Sequence, residues 1–305
     1  FIRNSDLQEE LSPEIIIRFG GLPVSKPLVE FLSGQKEAIH ILVSEDGLWR
    51  DPLHISSEIV HADHRNFSQA LIDLLKGLKR SNRWLDTWRR ISKEAEISIA
   101  DTLEGFDVMF EGKIFSELSR LLPDNSLVFA GNSMPIRDMD SFFPSTGKNI
   151  RFLANRGASG IDGVVSTALG AAAVTDRRSV LILGDISFYH DMNGLLAAKN
   201  NQIPATIIVV NNNGGGIFSF LPQFEYPEYF EAYFGTPHEL QFRSAAELYG
   251  INYHKVENWK EFRLAVESSL RSSGTEIIEI GCDRTENVGL HKKIWQSVKH
   301  RQTKS

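Results

Sequence analysis

The 305-residue chain has one cysteine, Cys282, which rules out an internal disulfide and fits a reducing, cytoplasmic setting. No apolar run reaches the roughly eighteen residues that span a bilayer. The longest candidates, such as Val164 to Val174, are short and rich in Ala and Gly. The opening Phe1-Ile2-Arg3-Asn4 is not a secretory signal. Acidic residues outnumber basic ones, 39 against 33, and no basic block stands out, so nucleic acid is not an expected partner. A Gly-x-Ser-x-Gly elbow, a Walker A loop and zinc-ligand spacing are also missing, which leaves hydrolase and nucleotidase readings nothing to rest on.

What is present suits an ordinary globular chain, 42% hydrophobic and 24% charged, long enough for two domains. Glu14 to Phe19 reads as a strand entering a Gly20-Gly21 turn, Pro27 to Leu32 as a helix, and Ala38 to Val43 and Glu58 to His61 as further strands. The expectation is a small Rossmann-like α/β layer. Without Gly-x-Gly-x-x-Gly, Gly20-Gly21 is read as a structural turn. His61 and His64 could face a metal from a helix start, but no acidic, His or Cys cluster completes a site, so solvated surface is preferred. Asn66 to Glu104 reads as charged helix with Trp84 and Trp88 on one face, either a linker between domains or a partner-binding amphipathic helix. The domain boundary is placed near Lys79 to Asn82, giving domains 1–80 and 81–305.

The second domain alternates again. Phe106, Phe110, Ile114, Leu118 and Leu121 form a helical stripe stopped by Pro123. Strands are expected at Leu127 to Ala130, Arg151 to Ala154, Ser179 to Leu183, Ala205 to Val210 and Glu276 to Ile280. Helices are expected at Asp162 to Thr175, Asp191 to Asn200, Ser244 to Tyr249 and Trp259 to Ser272. The fold class is α/β, a doubly wound parallel sheet.

Within that sheet, Gly184-Asp185 closes one buried strand and Asn211-Asn212-Asn213-Gly214-Gly215-Gly216 follows the next. A βαβ unit returns both strand ends to one edge, where open α/β sheets bind ligands. A carboxylate, an amide oxygen and a backbone carbonyl are hard ligands suited to Mg²⁺ shared with phosphates. Either half alone could be structural, since Asn-Gly forms turns and an Asp after a strand caps helices. The pairing is more specific. Asp185, Asn212 and the carbonyl of Gly214 are the candidate metal ligands, with Gly184, Gly215 and the N–H groups of Ile186 and Ser187 around the phosphates.

Gly-Asp, then Asn-Asn about one βαβ unit later, resembles the signature of the thiamine diphosphate enzymes. Gly131-Asn132-Ser133-Met134-Pro135-Ile136-Arg137, Asn155 to Gly163 and Val210 to Phe218 narrow the resemblance to their menaquinone-pathway branch, as does Ile186 where the wider family has a third glycine. That branch decarboxylates 2-oxoglutarate and adds the succinyl unit to isochorismate, using thiamine diphosphate and Mg²⁺ or Mn²⁺. The resemblance implies substrate contact by Arg137 and Arg156, whose guanidiniums suit carboxylates, with Asn132 and Ser133 as hydrogen-bonding neighbours. Ile161, Ile217, Phe218 and Leu221 would wall the thiazolium. His190 and Asp191 match no residue of that machinery and are assigned to a helix N-terminus. The resemblance further implies a homodimer or homotetramer, a chain that is the carboxyl-terminal portion of a longer one, and an activating glutamate on a pyrimidine-binding domain of a partner subunit. Alone, this chain is then expected to be inactive. Two other readings remain open: a related 2-oxo acid decarboxylase or acetolactate-type synthase, and a non-catalytic cofactor-binding or assembly fragment.

Overall fold

The structure, a computed structural model, describes residues 1–79 and 81–302. Arg80, which ends the first expected domain, and positions 303–305 of the second lie outside the described residues. Contacts divide the chain into two compact units, Phe1–Ser98 with Ser297–Ser305, and Ile99–Gln296. The division falls inside the helix Arg83–Glu104, beyond the 79–82 region read from the sequence. The reason lies in the early turns of that helix. Trp88 and Ile91 pack with Leu11 and Phe31 into the small core of the first unit.

In the first unit, β1 (Ile15–Phe19), β2 (Ile39–Ser44) and β3 (Glu58–His61) form a parallel sheet in the order β1-β2-β3. The charged stretch after β3 is two helices, His64–Leu74 and Arg83–Glu104, rather than one continuous helical region. The Trp84 and Trp88 rings do meet, edge to face with centroids 5.7 Å apart. His64 faces Glu45 at 3.5 Å, and among the described residues no group of three or more His, Cys, Asp or Glu could hold a metal.

The second unit is built on six parallel strands: β4 (Ser126–Ala130), β5 (Ile150–Leu153), β6 (Arg178–Gly184), β7 (Ala205–Asn211), β8 (Asn252–Val256) and β9 (Glu276–Gly281). Their spatial order is β5-β4-β6-β7-β9-β8. Strands buried on both faces read as near-continuous apolar runs, as Val180–Leu183 of β6 and Ile207–Val210 of β7 do. Their side chains alternate between two cores. Val180, Ile182, Ile208, Val210, Ile278 and Ile280 pack towards helices Glu111–Leu121 and Trp259–Ser269 and towards Ile294 of Arg284–Gln302. Leu181, Leu183, Ile207, Val209 and Ile277 pack towards helices Val164–Ala173, Leu195–Asn201 and Phe242–Tyr249. Two apolar faces, each covered by helices, make a doubly wound sheet.

Three local expectations change. Phe106 and Phe110 precede the helix that their stripe suggested, which begins at Glu111, and both are still buried in the core. The helix expected from Asp191 to Asn200 is Leu195–Asn201, reached through a 3-10 turn Met192–Gly194, and a separate helix Asp185–Asp191 precedes it because Gly184 leaves the strand in extended geometry directly into a helical turn. His190 and Asp191 therefore sit at a helix C-terminus. Asp191 accepts the N–H and hydroxyl of Ser166 at 2.6 and 2.9 Å, capping the first turn of a different helix. The edge strand β8, Asn-Tyr-His-Lys-Val, is short and polar and carried no strand signal.

Packing of this kind predicts where the second unit is vulnerable. Phe262 is fully buried against the sheet, and Phe262→Ala should cost about 3–5 kcal/mol. Leu264, on the same helix but 58% exposed, should lose less than about 0.5 kcal/mol on the same truncation. Urea-induced unfolding of the two variants checks the contrast.

Candidate functional site

The order β5-β4-β6-β7 contains a switch point: the chain leaves β4 for β5 on one side, then crosses over to β6 on the other. In such sheets the crevice beyond the strand carboxyl ends at the switch is the ligand site. A cavity of about 330 Å³ opens there, lined by the segments that follow β4, β6 and β7. It brings together Asn132, Ser133, Arg137, Arg156, Ile161, Gly184, Asp185, Ile186, Ser187, Asn212, Gly214, Gly215, Ile217 and Phe218, and adds Glu111. Leu221 is outside this lining and 40% exposed.

Asp185 is almost wholly buried, at 1% exposure, at the end of β6. Its Oδ1 accepts the N–H of Ile186 at 2.7 Å and its Oδ2 the N–H of Gly214 at 3.0 Å. The Ile186 N–H, expected to meet phosphate, is thus taken by Asp185. His238 Nε2 stands 3.1 Å from the same Oδ2. The Leu240 N–H donates to His238 Nδ1, so the proton of a neutral ring is on Nε2, the nitrogen that faces Asp185 without an aligned hydrogen bond. Burial nonetheless wins and raises the Asp185 carboxyl above the ordinary carboxylate range, against the bonds from Gly214 and Ile186 and the nearby His238 ring. A nearby cation would reverse that balance by favouring the ionised form.

The three asparagines at the end of β7 divide their tasks. Asn211 donates to Glu279 at 3.0 Å and accepts the Asn213 N–H. Asn213, in the left-handed region at φ 57°, accepts the N–H groups of His238 and Glu239 at 2.9 Å each, fastening the loop that carries His238. Asn212 lines the cavity. Its Nδ2 donates to Glu111 Oε1 at 2.8 Å, while its Oδ1 is buried with no protein partner. The glycines that follow are required by contact. A Cβ on Gly214, at φ 141°, would strike the Gly235 carbonyl, and one on Gly215 would strike that of Phe234. The Gly214 carbonyl accepts the Gly216 N–H at 3.0 Å, which leaves it a second lone pair.

A buried, unpaired amide oxygen, a desolvated carboxylate and a close glycine turn fit a hard divalent cation held jointly with phosphate oxygens. Asp185, Asn212 and the Gly214 carbonyl would hold it.

The other wall is cationic. Ser133 occupies φ 73°, a strained conformation for a residue with a side chain, and precedes the helix Met134–Phe142. Arg137, one turn on, donates to the Ser133 carbonyl at 2.6 Å. Arg156 donates to Asn132 Oδ1 at 2.8 Å, and Asn132 Nδ2 donates to the Gly160 carbonyl at 2.6 Å. Burial, and then the neighbouring Arg156 charge, lower the Arg137 guanidinium. Each arginine has further N–H groups beyond these bonds, so the wall can accept carboxylates.

Glu111, His238, Asp138 and His291 drew no attention in the sequence. Burial, then the Asp138 charge, push the Glu111 carboxyl up to about 7. Burial pulls the His291 ring down, but the Asp138 carboxylate, 2.8 Å from Nε2, more than offsets it and leaves the ring raised. Phe110, Phe142 and Phe220 surround that ring edge to face. One signal was legible for Glu111: it stands three residues before Ile114 and four before Phe115, a charge on the buried stripe of its helix.

The profile of the thiamine pyrophosphate enzymes' C-terminal TPP-binding domain matches residues 138–280. Thiamine pyrophosphate is another name for thiamine diphosphate. The chain is 45% identical over 295 residues to the 2-succinyl-5-enolpyruvyl-6-hydroxy-3-cyclohexene-1-carboxylate synthase of Bacillus cytotoxicus, covering 97% of this chain and 50% of that protein. It is 45% identical over 297 residues to the synthase of the same name from Geobacillus thermodenitrificans, with 97% and 50% covered. For that of Listeria innocua the identity is 43% over 298 residues, with 98% and 51% covered. The chain therefore spans about half the length of the curated relatives it matches. The chain thus carries, on its parallel α/β sheet, the C-terminal TPP-binding domain of the thiamine pyrophosphate enzymes.

Proposed function

We propose that this chain holds the diphosphate end of thiamine diphosphate, through Mg²⁺ or Mn²⁺, in an enzyme that decarboxylates 2-oxoglutarate and transfers the succinyl unit to isochorismate. The observation that carries the reading is the buried, unpartnered Oδ1 of Asn212 in a cavity shared with Asp185 and the two arginines. The similarity to the synthases supports the choice of reaction. The cofactor, when bound, supplies the electron sink for decarboxylating a 2-oxo acid.

The chain's own residues divide the remaining work. Asp185, Asn212 and the Gly214 carbonyl hold the cation, and the glycine turn lets phosphate approach the backbone. Arg137 and Arg156 bind substrate carboxylates, their orientation set by the Ser133 carbonyl and Asn132. Two guanidiniums in a half-buried cavity repel, and a dianionic substrate relieves that repulsion. Ile161, Ile217 and Phe218 exclude water beside the reacting atoms. Division into a central domain and a diphosphate-binding domain, a homodimer or homotetramer in the cytoplasm, and an activating glutamate outside these 305 residues belong to the same reading. Among the described residues no helix is long and apolar enough to cross a membrane.

Two outcomes test it. In the full-length protein, Asp185→Ala and Asn212→Ala should each abolish Mg²⁺-dependent thiamine diphosphate binding in calorimetric titration while the protein stays folded. Unchanged affinity in both would remove the site assignment. Arg137→Ala and Arg156→Ala should each lower kcat/KM for 2-oxoglutarate or isochorismate roughly 30- to 1,000-fold, about 2–4 kcal/mol, with cofactor affinity much less affected. Normal steady-state kinetics with both substrates would make the arginines structural.

A further inference from the structure

An asparagine ligates a hard cation through Oδ1 only. Its Nδ2 end carries two N–H groups that a cation repels, so a half-turn of the amide converts a ligand into a barrier. At Asn212 one end of the amide is already committed. Nδ2 donates to Glu111 Oε1 at 2.8 Å, and Oδ1 is turned away from that bond, buried and unpartnered. A carboxyl oxygen accepts this bond whether or not the other oxygen carries a proton. Reversing the amide would set Oδ1 against a carboxyl oxygen that carries no proton and strand the Nδ2 donors on the other side.

Glu111 is itself held firmly. It is 3% exposed in the first turn of the helix Glu111–Leu121, whose Ile114, Phe115 and Leu118 are buried in the core. Gly112 brings that turn so close to Phe142 and Phe110 that a Cβ there would collide with both rings. The acceptor for Asn212 is thus built into the hydrophobic core and does not ride on a mobile loop.

We infer that Glu111 is a positioning residue for the cation site: it orients the Asn212 amide so that Oδ1 is presented to the metal before the metal arrives. The inference rests on the cation site proposed above and adds a residue from a helix far from all three ligands in sequence. Partners that orient a metal ligand typically contribute 10- to 100-fold in metal affinity, which sets the expected effect.

The test measures Mn²⁺ affinity of the full-length protein by electron paramagnetic resonance in the presence of thiamine diphosphate, together with the thermal midpoint without metal. If the unaltered protein fails to bind Mn²⁺, the cation site itself is wrong, an outcome distinct from failure of the inference. Given binding, Glu111→Met, which keeps the volume and removes the acceptor, should weaken Mn²⁺ roughly 10- to 100-fold. Glu111→Gln, which keeps an acceptor oxygen and removes the charge, should stay within roughly threefold of the unaltered protein, well inside that range. Equal loss in both variants would overturn the inference, because charge rather than orientation would then be responsible. A lowered metal-free midpoint in Glu111→Met with unmoved Mn²⁺ affinity would overturn it too. Should Glu111→Met fail to fold, Glu111→Gln decides alone: a tenfold or greater loss there refutes orientation, and retained affinity supports it.

Discussion

The parallel pairing of β6 with β7 is the constraint on which the site depends. Leu183 pairs with Val209 and Gly184 with Val210, so Asp185 and the Asn211–Gly216 turn leave the sheet side by side. β4 joins from the other side through Ala130 and Ile182, and the Gly131 N–H donates to the Ile182 carbonyl at 2.7 Å. Three loops are thereby held at one edge by strands whose central positions are all buried. A one-residue slip of β7 would exchange its two apolar faces, and both are covered by helices, so packing resists the slip.

The site gathers polar groups where burial is costly, and the arrangement shows how that cost is shared. Asp185 is compensated by two backbone N–H groups and His238, and the Asn212 amide by Glu111 at one end only. An uncompensated polar atom in a buried position is destabilising unless something binds to it. The same holds for the Arg137 and Arg156 pair, whose mutual repulsion persists until an anion arrives. On the proposed reading, the cavity would take ligands of two kinds, a cation with phosphates at the β6–β7 side and carboxylates at the β4 side.

The elements that could be read in advance are those with strong periodic signals. β6 and β7 each carry an apolar run, Val180–Leu183 and Ile207–Val210, close to turn residues, and Val164–Ala173 is a compact helix of small residues. β8 escaped because an edge strand needs only one apolar face and its five residues are mostly polar. The start of the helix at Asp185 escaped because the carboxylate serves as strand end and first helical residue at once. The same compression moved His190 and Asp191 from the front of a helix to its end.

By itself the sequence determined the alternation of strands and helices, the doubly wound class, and the TPP-binding domain, because hydrophobic period and short glycine-centred motifs are local properties. It also indicated Asp185, Asn212, Arg137 and Arg156 as chemistry-bearing residues. Only the tertiary structure decided that Asn211 is committed to Glu279, that His238 leans on Asp185 from a loop fastened by Asn213, and that Glu111 holds Asn212 from 101 residues away. Such partnerships carry no sequence period, since they arise where strand order brings distant segments together and burial forces each polar group to find a partner.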